Sequence, residues 1–267
     1  MALKVGYIGL GSMGQPFASN IVKAGFDLTV FDVRPEPVAE LVKLGAKAAG
    51  SSREVAQAVD VVELTVSKEP EVDSVLQGPD GLLAGAHPGL ILIIHTSIHP
   101  IKMQEVAKEA KTHGIEMLDV QMSGGVGGVV ARNTCLMVGG AAETLEKCRP
   151  VLETTAGSIY LVGGVGMGAL AKVAQNMMTA TYLMAAEEGF RLAGKGGVDL
   201  EVFQEIVRTS SAQSYVADKY LSNWGQRGSA WMYHQVLWDA LDLGHTYDIP
   251  LPGAATCLQA LAHSLVK

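Results

Sequence analysis

The sequence predicts a mostly parallel, doubly wound α/β sheet, joined by one long helix to an all-α C-terminal domain. Three observations predict it. From residue 3 to residue 162, short apolar runs alternate with amphipathic helical stretches, the order that builds a parallel sheet. The runs are close to continuously apolar rather than apolar at every second residue, as strands covered on both faces are. After residue 166 the strands stop and helical periodicity continues.

In order, LKVGYI (3–8), LTVFD (28–32), VVELTV (61–66) and LILII (90–94) read as buried strands. Between them, helical patterns run from the loop at Ser12 to Gly25, from Pro35 to Gly45, and onward from Ser52. A fourth starts at Pro100 and stops at Gly114, good start and stop signals. Further strands are expected at 117–120, 136–138 and 159–162, with a helix over 141–152. Residues 169–193 form one proline-free helical pattern, roughly 35–40 Å long at 1.5 Å per residue. Shorter helices follow at 200–209, 215–224, 231–246 and 253–266. The 267 residues suit about two domains at roughly 150 residues each. The expected division is 1–163, a nucleotide-binding domain, and 164–267, a helical substrate and oligomerisation domain.

With 48% hydrophobic and 18% charged residues the chain is not intrinsically disordered. A formal charge of −7 without a basic run excludes a nucleic-acid partner, since phosphate contacts need clustered Lys and Arg. LILII is far too short to span a bilayer, and no signal-peptide core precedes the first strand. A cytoplasmic protein with no membrane contact is expected. The cysteines Cys135, Cys148 and Cys257 lack metal-ligand or redox spacing and read as three buried thiols. No histidine pair shares a helical face, so no metal site is expected.

Gly9-Leu10-Gly11-Ser12-Met13-Gly14 fits G-x-G-x-x-G, directly after a strand and at the opening of a helix. The first glycine permits a tight turn, the second lets a pyrophosphate approach, and the third lets helix and strand pack closely. The helix start then offers unpaired N–H groups to phosphates. Asp32 stands at the end of the second strand, where a carboxylate accepts hydrogen bonds from ribose hydroxyls and repels a 2′-phosphate. This points to a Rossmann domain binding NAD, while the guanidinium of Arg34 leaves NADP open.

Ser123-Gly124-Gly125 opens a second glycine loop. Its N–H groups and hydroxyl suit a carboxylate; a flexible turn is an equal reading. Lys172 and Asn176 are four apart on the long helix among small and apolar residues. A lysine so placed is partly desolvated, which lowers its pKa and suits acid/base work. On spacing alone, a lysine snorkelling to water beside a surface amide is the simpler reading.

GLGSMGQPFASNIVKAG, DVQMSGGVGG and GMGALAKVAQN, in this order, resemble the sequential motifs of the β-hydroxyacid dehydrogenase family, which includes 3-hydroxyisobutyrate dehydrogenase and tartronate semialdehyde reductase. The resemblance runs from about residue 4 to about residue 255 and implies a Rossmann domain followed by a helical one. It implies that Lys172 is the catalytic acid/base, that Ser123, Gly124 and Gly125 bind the substrate carboxylate, and that Asn176 helps hold the substrate. It also implies that Val66 and Ser97 contact the nicotinamide half of the cofactor. The implied activity is hydride transfer between NAD and a 3-hydroxy acid, or reduction of the corresponding semialdehyde, in a homodimer or homotetramer.

Two departures stand out. Gln121-Met122 replaces the usual Pro-Val before Ser-Gly-Gly. Trp238 stands where the family carries a substrate-binding lysine, while Asp239 keeps the aspartate that follows it. With that cation lost, the ring either faces a larger or less charged substrate or packs between helices. Two alternatives follow: an NAD(P)H reductase resembling the imine reductases, against which Lys172 argues, and a non-catalytic dinucleotide-binding interaction module. Trp231, Met177, Met178 and Met184 read as packing residues, and Glu187-Glu188 as a solvated face.

Overall fold

β1 (Lys4–Ile8) enters the sheet from the N-terminus and passes through the glycine loop into α1 (Gly14–Lys23). The computed structural model describes residues 3–224 and 233–264. Trp231 and the last residues of the final expected helix lie outside them.

The chain continues through β2 (Asp27–Phe31), α2 (Pro35–Lys43), β3 (Lys47–Ala48), α3 (Ser52–Ala58), β4 (Val61–Leu64) and α4 (Glu69–Leu76). A 3₁₀ turn at Leu82–Gly85 leads to β5 (Ile91–Ile94), α5 (Pro100–Thr112), β6 (Glu116–Ser123), α6 (Gly125–Val130), β7 (Thr134–Gly139), α7 (Ala142–Leu152) and β8 (Ala156–Gly163). The sheet order is β3-β2-β1-β4-β5-β6-β7-β8. Every adjacent pair is parallel except β6 and β7. Their link, residues 124–133, is shorter than a parallel crossover requires, so the chain reverses. The strand order turns back between β1 and β4, the switch point where ligands bind in open α/β sheets.

Alternate residues of each strand fill two cores. Val5, Tyr7, Val30, Val61, Ile93 and Val138 pack under α1 and α7. Ile8, Val62, Leu64, Leu92 and Ile94 pack under α3, α4 and α5. Capping accounts for several helix starts. Ser51 accepts the Glu54 N–H at α3, and the His99 ring accepts the Ile101 N–H at α5.

The helical part begins with α8 (Met167–Lys195), 29 residues long. α9 (Leu200–Thr209), α10 (Tyr215–Asp218), a π-helical turn at Tyr220–Trp224, α11 (His234–Thr246) and α12 (Pro252–Ser264) follow. They enclose a core of Ala180, Leu183, Val216, Leu237, Ala254 and Cys257. The expected single helix over 215–224 is in fact two short turns, because Lys219 ends α10 outside helical geometry. Met178 is exposed rather than packed, and Cys135 is only half-buried.

The chain divides into two compact units, Met1–Lys172 and Val173–Lys267, so the first turn of α8 belongs to the first unit. The reason is Asp119, whose Oδ2 accepts the N–H groups of Gly166 and Ala169 at 3.1 and 2.9 Å. That carboxylate ties the first turn of α8 to the sheet.

Candidate active site

The glycine loop is shaped by contacts no side chain would survive. Gly9 has φ +87°, and a Cβ there would strike the Thr65 carbonyl oxygen; a Cβ on Gly14 would strike the carbonyl oxygen of Gly9. Gly11 is different, because the space where its Cβ would stand is open. The loop is closed against its own sheet and open only outward, a cradle into which a pyrophosphate fits. Leu10 is buried and Met13 packs against the core, so both side chains are turned into the fold. Ser12 is exposed.

Asp32 Oδ2 accepts the Leu10 N–H at 2.6 Å, which locks the carboxylate to the loop. Asp32 Oδ1 accepts the Arg34 backbone N–H at 2.8 Å and its Nε–H at 3.1 Å. Arg34 Nη2 also donates to the Leu10 carbonyl at 3.1 Å. Burial pushes the Asp32 carboxyl up. The hydrogen bonds and charge of Arg34, with the Leu10 N–H, outweigh it and hold the group below its ordinary value. Asp32 is thus a fixed carboxylate that could accept from ribose hydroxyls, and Arg34 in this arrangement is committed to it.

On the other side of the switch point, the Val66 N–H donates to Thr96 Oγ1 at 2.9 Å, and Ser97 Oγ donates to Gln121 Oε1 at 2.9 Å. Gln121 Nε2 donates to Asp119 Oδ1 at 3.1 Å and to the Thr96 carbonyl at 3.3 Å. Beneath them, His95 Nε2 meets Glu63 Oε2 at 2.9 Å while its Nδ1 meets the Val120 carbonyl at 2.9 Å. Phe17 of α1 lies against the His95 ring, with centroids 4.8 Å apart.

Ser123 ends β6, paired with Cys135 of β7. Gly124 (φ +127°) and Gly125 (φ +60°) then turn the chain into α6, so the second glycine loop is a strand-to-helix junction rather than an open turn. Consecutive left-handed positions suit glycine and leave the backbone amides uncovered by side chains. On α8, burial lowers the Lys172 ammonium to about 8, with a smaller opposing effect from nearby Cys135. At that value a lysine takes up and releases a proton near neutral pH. Asn176 is half-buried one turn later on the same helix. In the second unit, Trp238 is 54% exposed, against the His234 ring, and Asp239 accepts Gln235 Nε2 at 2.9 Å. Trp238 is therefore a surface ring and not a core-packing residue. Among the described residues no group of three or more His, Cys, Asp or Glu side chains is placed to hold a metal.

A family model described as the NAD binding domain of 6-phosphogluconate dehydrogenase matches residues 4–164. A second, described as NAD-binding of NADP-dependent 3-hydroxyisobutyrate dehydrogenase, matches residues 166–265. An NAD-dependent L-serine dehydrogenase of Pseudomonas aeruginosa is 37% identical over 81% of this chain and 73% of its own length. The chain belongs to the β-hydroxyacid dehydrogenase family. Another similar protein is the 2-(hydroxymethyl)glutarate dehydrogenase of Eubacterium barkeri, 32% identical over 97% of this chain and 88% of its own. The solved structure of Mycobacterium tuberculosis 3-hydroxyisobutyrate dehydrogenase with L-serine superposes at a TM-score of 0.88 and is 29% identical. The match covers 98% of this chain and 94% of that one.

As a member of the β-hydroxyacid dehydrogenase family the chain carries an NAD-binding domain. Sequence reasoning missed Glu63, His95 and Asp119 beneath this site, and marked Gln121 as a departure without finding its partners. A signal for them existed. Each is a polar residue within, or just past, an otherwise apolar strand, where a group must find a partner or stay charged at high cost.

Proposed function

We propose that this chain is an NAD-dependent dehydrogenase that oxidises the primary alcohol of small 3-hydroxy acids, and reduces the semialdehyde in reverse. The observation that carries the reading is Lys172, a half-buried lysine lowered to about 8, in the same unit as the dinucleotide cradle. Neutral Lys172 Nζ takes the hydroxyl proton during oxidation and returns it during reduction. NAD, when bound, supplies the hydride acceptor. Ser123 Oγ and the amides of Gly124 and Gly125 hold the carboxylate, which fixes the carbon presented for oxidation. Val66 and Ser97 serve the nicotinamide half of the cofactor. For Asn176, Trp238 and Asp239 the resemblance supports contacts with substrate.

The relatives' names share one chemical unit. Serine, 2-(hydroxymethyl)glutarate and 3-hydroxyisobutyrate are all HOCH₂–CH(R)–COO⁻, differing in R. That unit is the substrate class we assign. Asp32, held by Leu10 and Arg34, supports NAD over NADP. The exposed apolar residues Met178, Tyr182 and Leu192 on α8 support a homodimer or homotetramer.

The test is nicotinamide absorbance with a panel of such acids, NAD and NADP in parallel. Lys172→Ala is expected to lower kcat by ~10²–10⁴-fold with NAD affinity retained. Equal loss of both would sink the acid/base assignment, and turnover of cyclic imines alone would move the chain to the imine-reductase alternative. Tight NAD binding without turnover on any substrate would leave it a non-catalytic module.

A further inference from the structure

We propose that Gln121 is a positioning residue that couples the cofactor-side turn at Thr96–Ser97 to the helix carrying Lys172. The inference rests on the acid/base reading of Lys172 above.

Gln121 is fully buried, and both ends of its amide are used. Its Oε1 takes the Ser97 hydroxyl proton at 2.9 Å. Its Nε2 donates to the Thr96 carbonyl and to Asp119 Oδ1. Asp119, also fully buried, gives its other oxygen to the N–H groups of Gly166 and Ala169 at the start of α8. Lys172 follows Ala169 by three residues, less than one helical turn. One unbroken chain of hydrogen bonds therefore runs from Ser97, through Gln121 and Asp119, to the turn that aims Lys172. The Val66 N–H joins it through Thr96 Oγ1.

The chemistry of each link sets a direction. Ser97 is exposed, yet its only proton is given to Gln121, so it faces outward as an acceptor. That suits an N–H donor such as a carboxamide. Burial drives the Asp119 carboxyl up, and the Gln121 amide is one of the donors that oppose this. Without Gln121, Asp119 loses the partner of Oδ1 and its hold on α8 weakens. An apolar residue at 121 makes none of these bonds, and Asn is too short to reach both sides.

The experiment measures Lys172 directly. Competitive acetylation across pH, read by peptide mass spectrometry on cofactor-free protein, gives the proton affinity of Lys172, expected near 8 in the unaltered chain. In Gln121→Leu the turn loosens and water reaches Nζ. The value is then expected to rise by roughly one unit toward the ordinary lysine range. kcat is expected to fall ~10- to 100-fold, with substrate KM changed much less. Thermal unfolding establishes that the variant is folded; should Gln121→Leu not fold, the unbranched Gln121→Met carries the same test. A folded variant whose Lys172 titration and kcat stay within twofold of the parent overturns the proposal. Lys172→Ala, assayed alongside, separates the two readings. Its full activity would remove the acid/base role while leaving the acetylation result to judge Gln121.

Discussion

Glu63 and His95 meet at 2.9 Å inside the sheet, each side chain only 1% exposed. Both stand two residues beyond apolar inward positions, Val61 and Ile93, and so point into the core under α1. The second His95 nitrogen is held by the Val120 carbonyl, and Phe17 covers the ring. The pair thus joins β4, β5 and β6 directly below the dinucleotide loop. Removing one partner strands the other away from water. Glu63→Ala leaves a buried His95 nitrogen without its hydrogen-bond partner and is expected to lower unfolding free energy by about 1–3 kcal/mol. The double change Glu63→Leu with His95→Phe should cost clearly less than the two single changes summed. Urea denaturation of the four proteins checks this, and strict additivity would show that the two residues do not act as a pair.

Lys172 predicts opposite pH dependences for the two reaction directions. The neutral amine is needed for oxidation, so kcat should rise as pH passes about 8. The ammonium is needed for reduction, so that direction should fall over the same range. Stability follows the same proton. The folded value lies below the ordinary 10.5, so between about 8 and 10.5 the unfolded chain binds more protons and stability rises with pH. Lys172→Met should therefore stabilise the protein at pH 7, by on the order of 1–3 kcal/mol, while lowering kcat ~10²–10⁴-fold. A destabilised Lys172→Met would refute the burial account.

The glycine loop separates folding from binding. Gly14→Ala puts a methyl group into the Gly9 carbonyl and should lower stability by about 1–3 kcal/mol. Gly11→Ala enters open space, so thermal unfolding should be nearly unchanged, while NAD affinity falls at least ~10-fold as the methyl fills the pyrophosphate's approach. Calorimetric titration with NAD beside thermal melts distinguishes the two.

Trp238 tests the substrate range. Its exposed ring stands where the family motif carries a lysine. Trp238→Lys should lower KM for hydroxy acids with a small R group about 10-fold and raise it for those with a bulky apolar R. No change in either would remove Trp238 from the substrate contacts.

Most of the fold was legible in the sequence. Continuous β-branched runs marked the central strands, and glycine and proline punctuated the helices between them. β3 was invisible because two residues carry no period, and the reversal at β7 because strand direction is not written in apolar content. The stop at Lys219 was hidden inside an amphipathic pattern.

The glycine cradle, its acidic partner Asp32, and the spacing of Lys172 and Asn176 are written in the chain alone. All of these depend on neighbours within one loop, one strand–helix unit or one helix. Folding alone brings Gln121 to Ser97, Glu63 to His95, and Asp119 to the start of α8. Those partners lie on different strands or lie far apart in the chain. Their meeting depends on strand register and on which face each residue takes, and so does the desolvation that lowers Lys172.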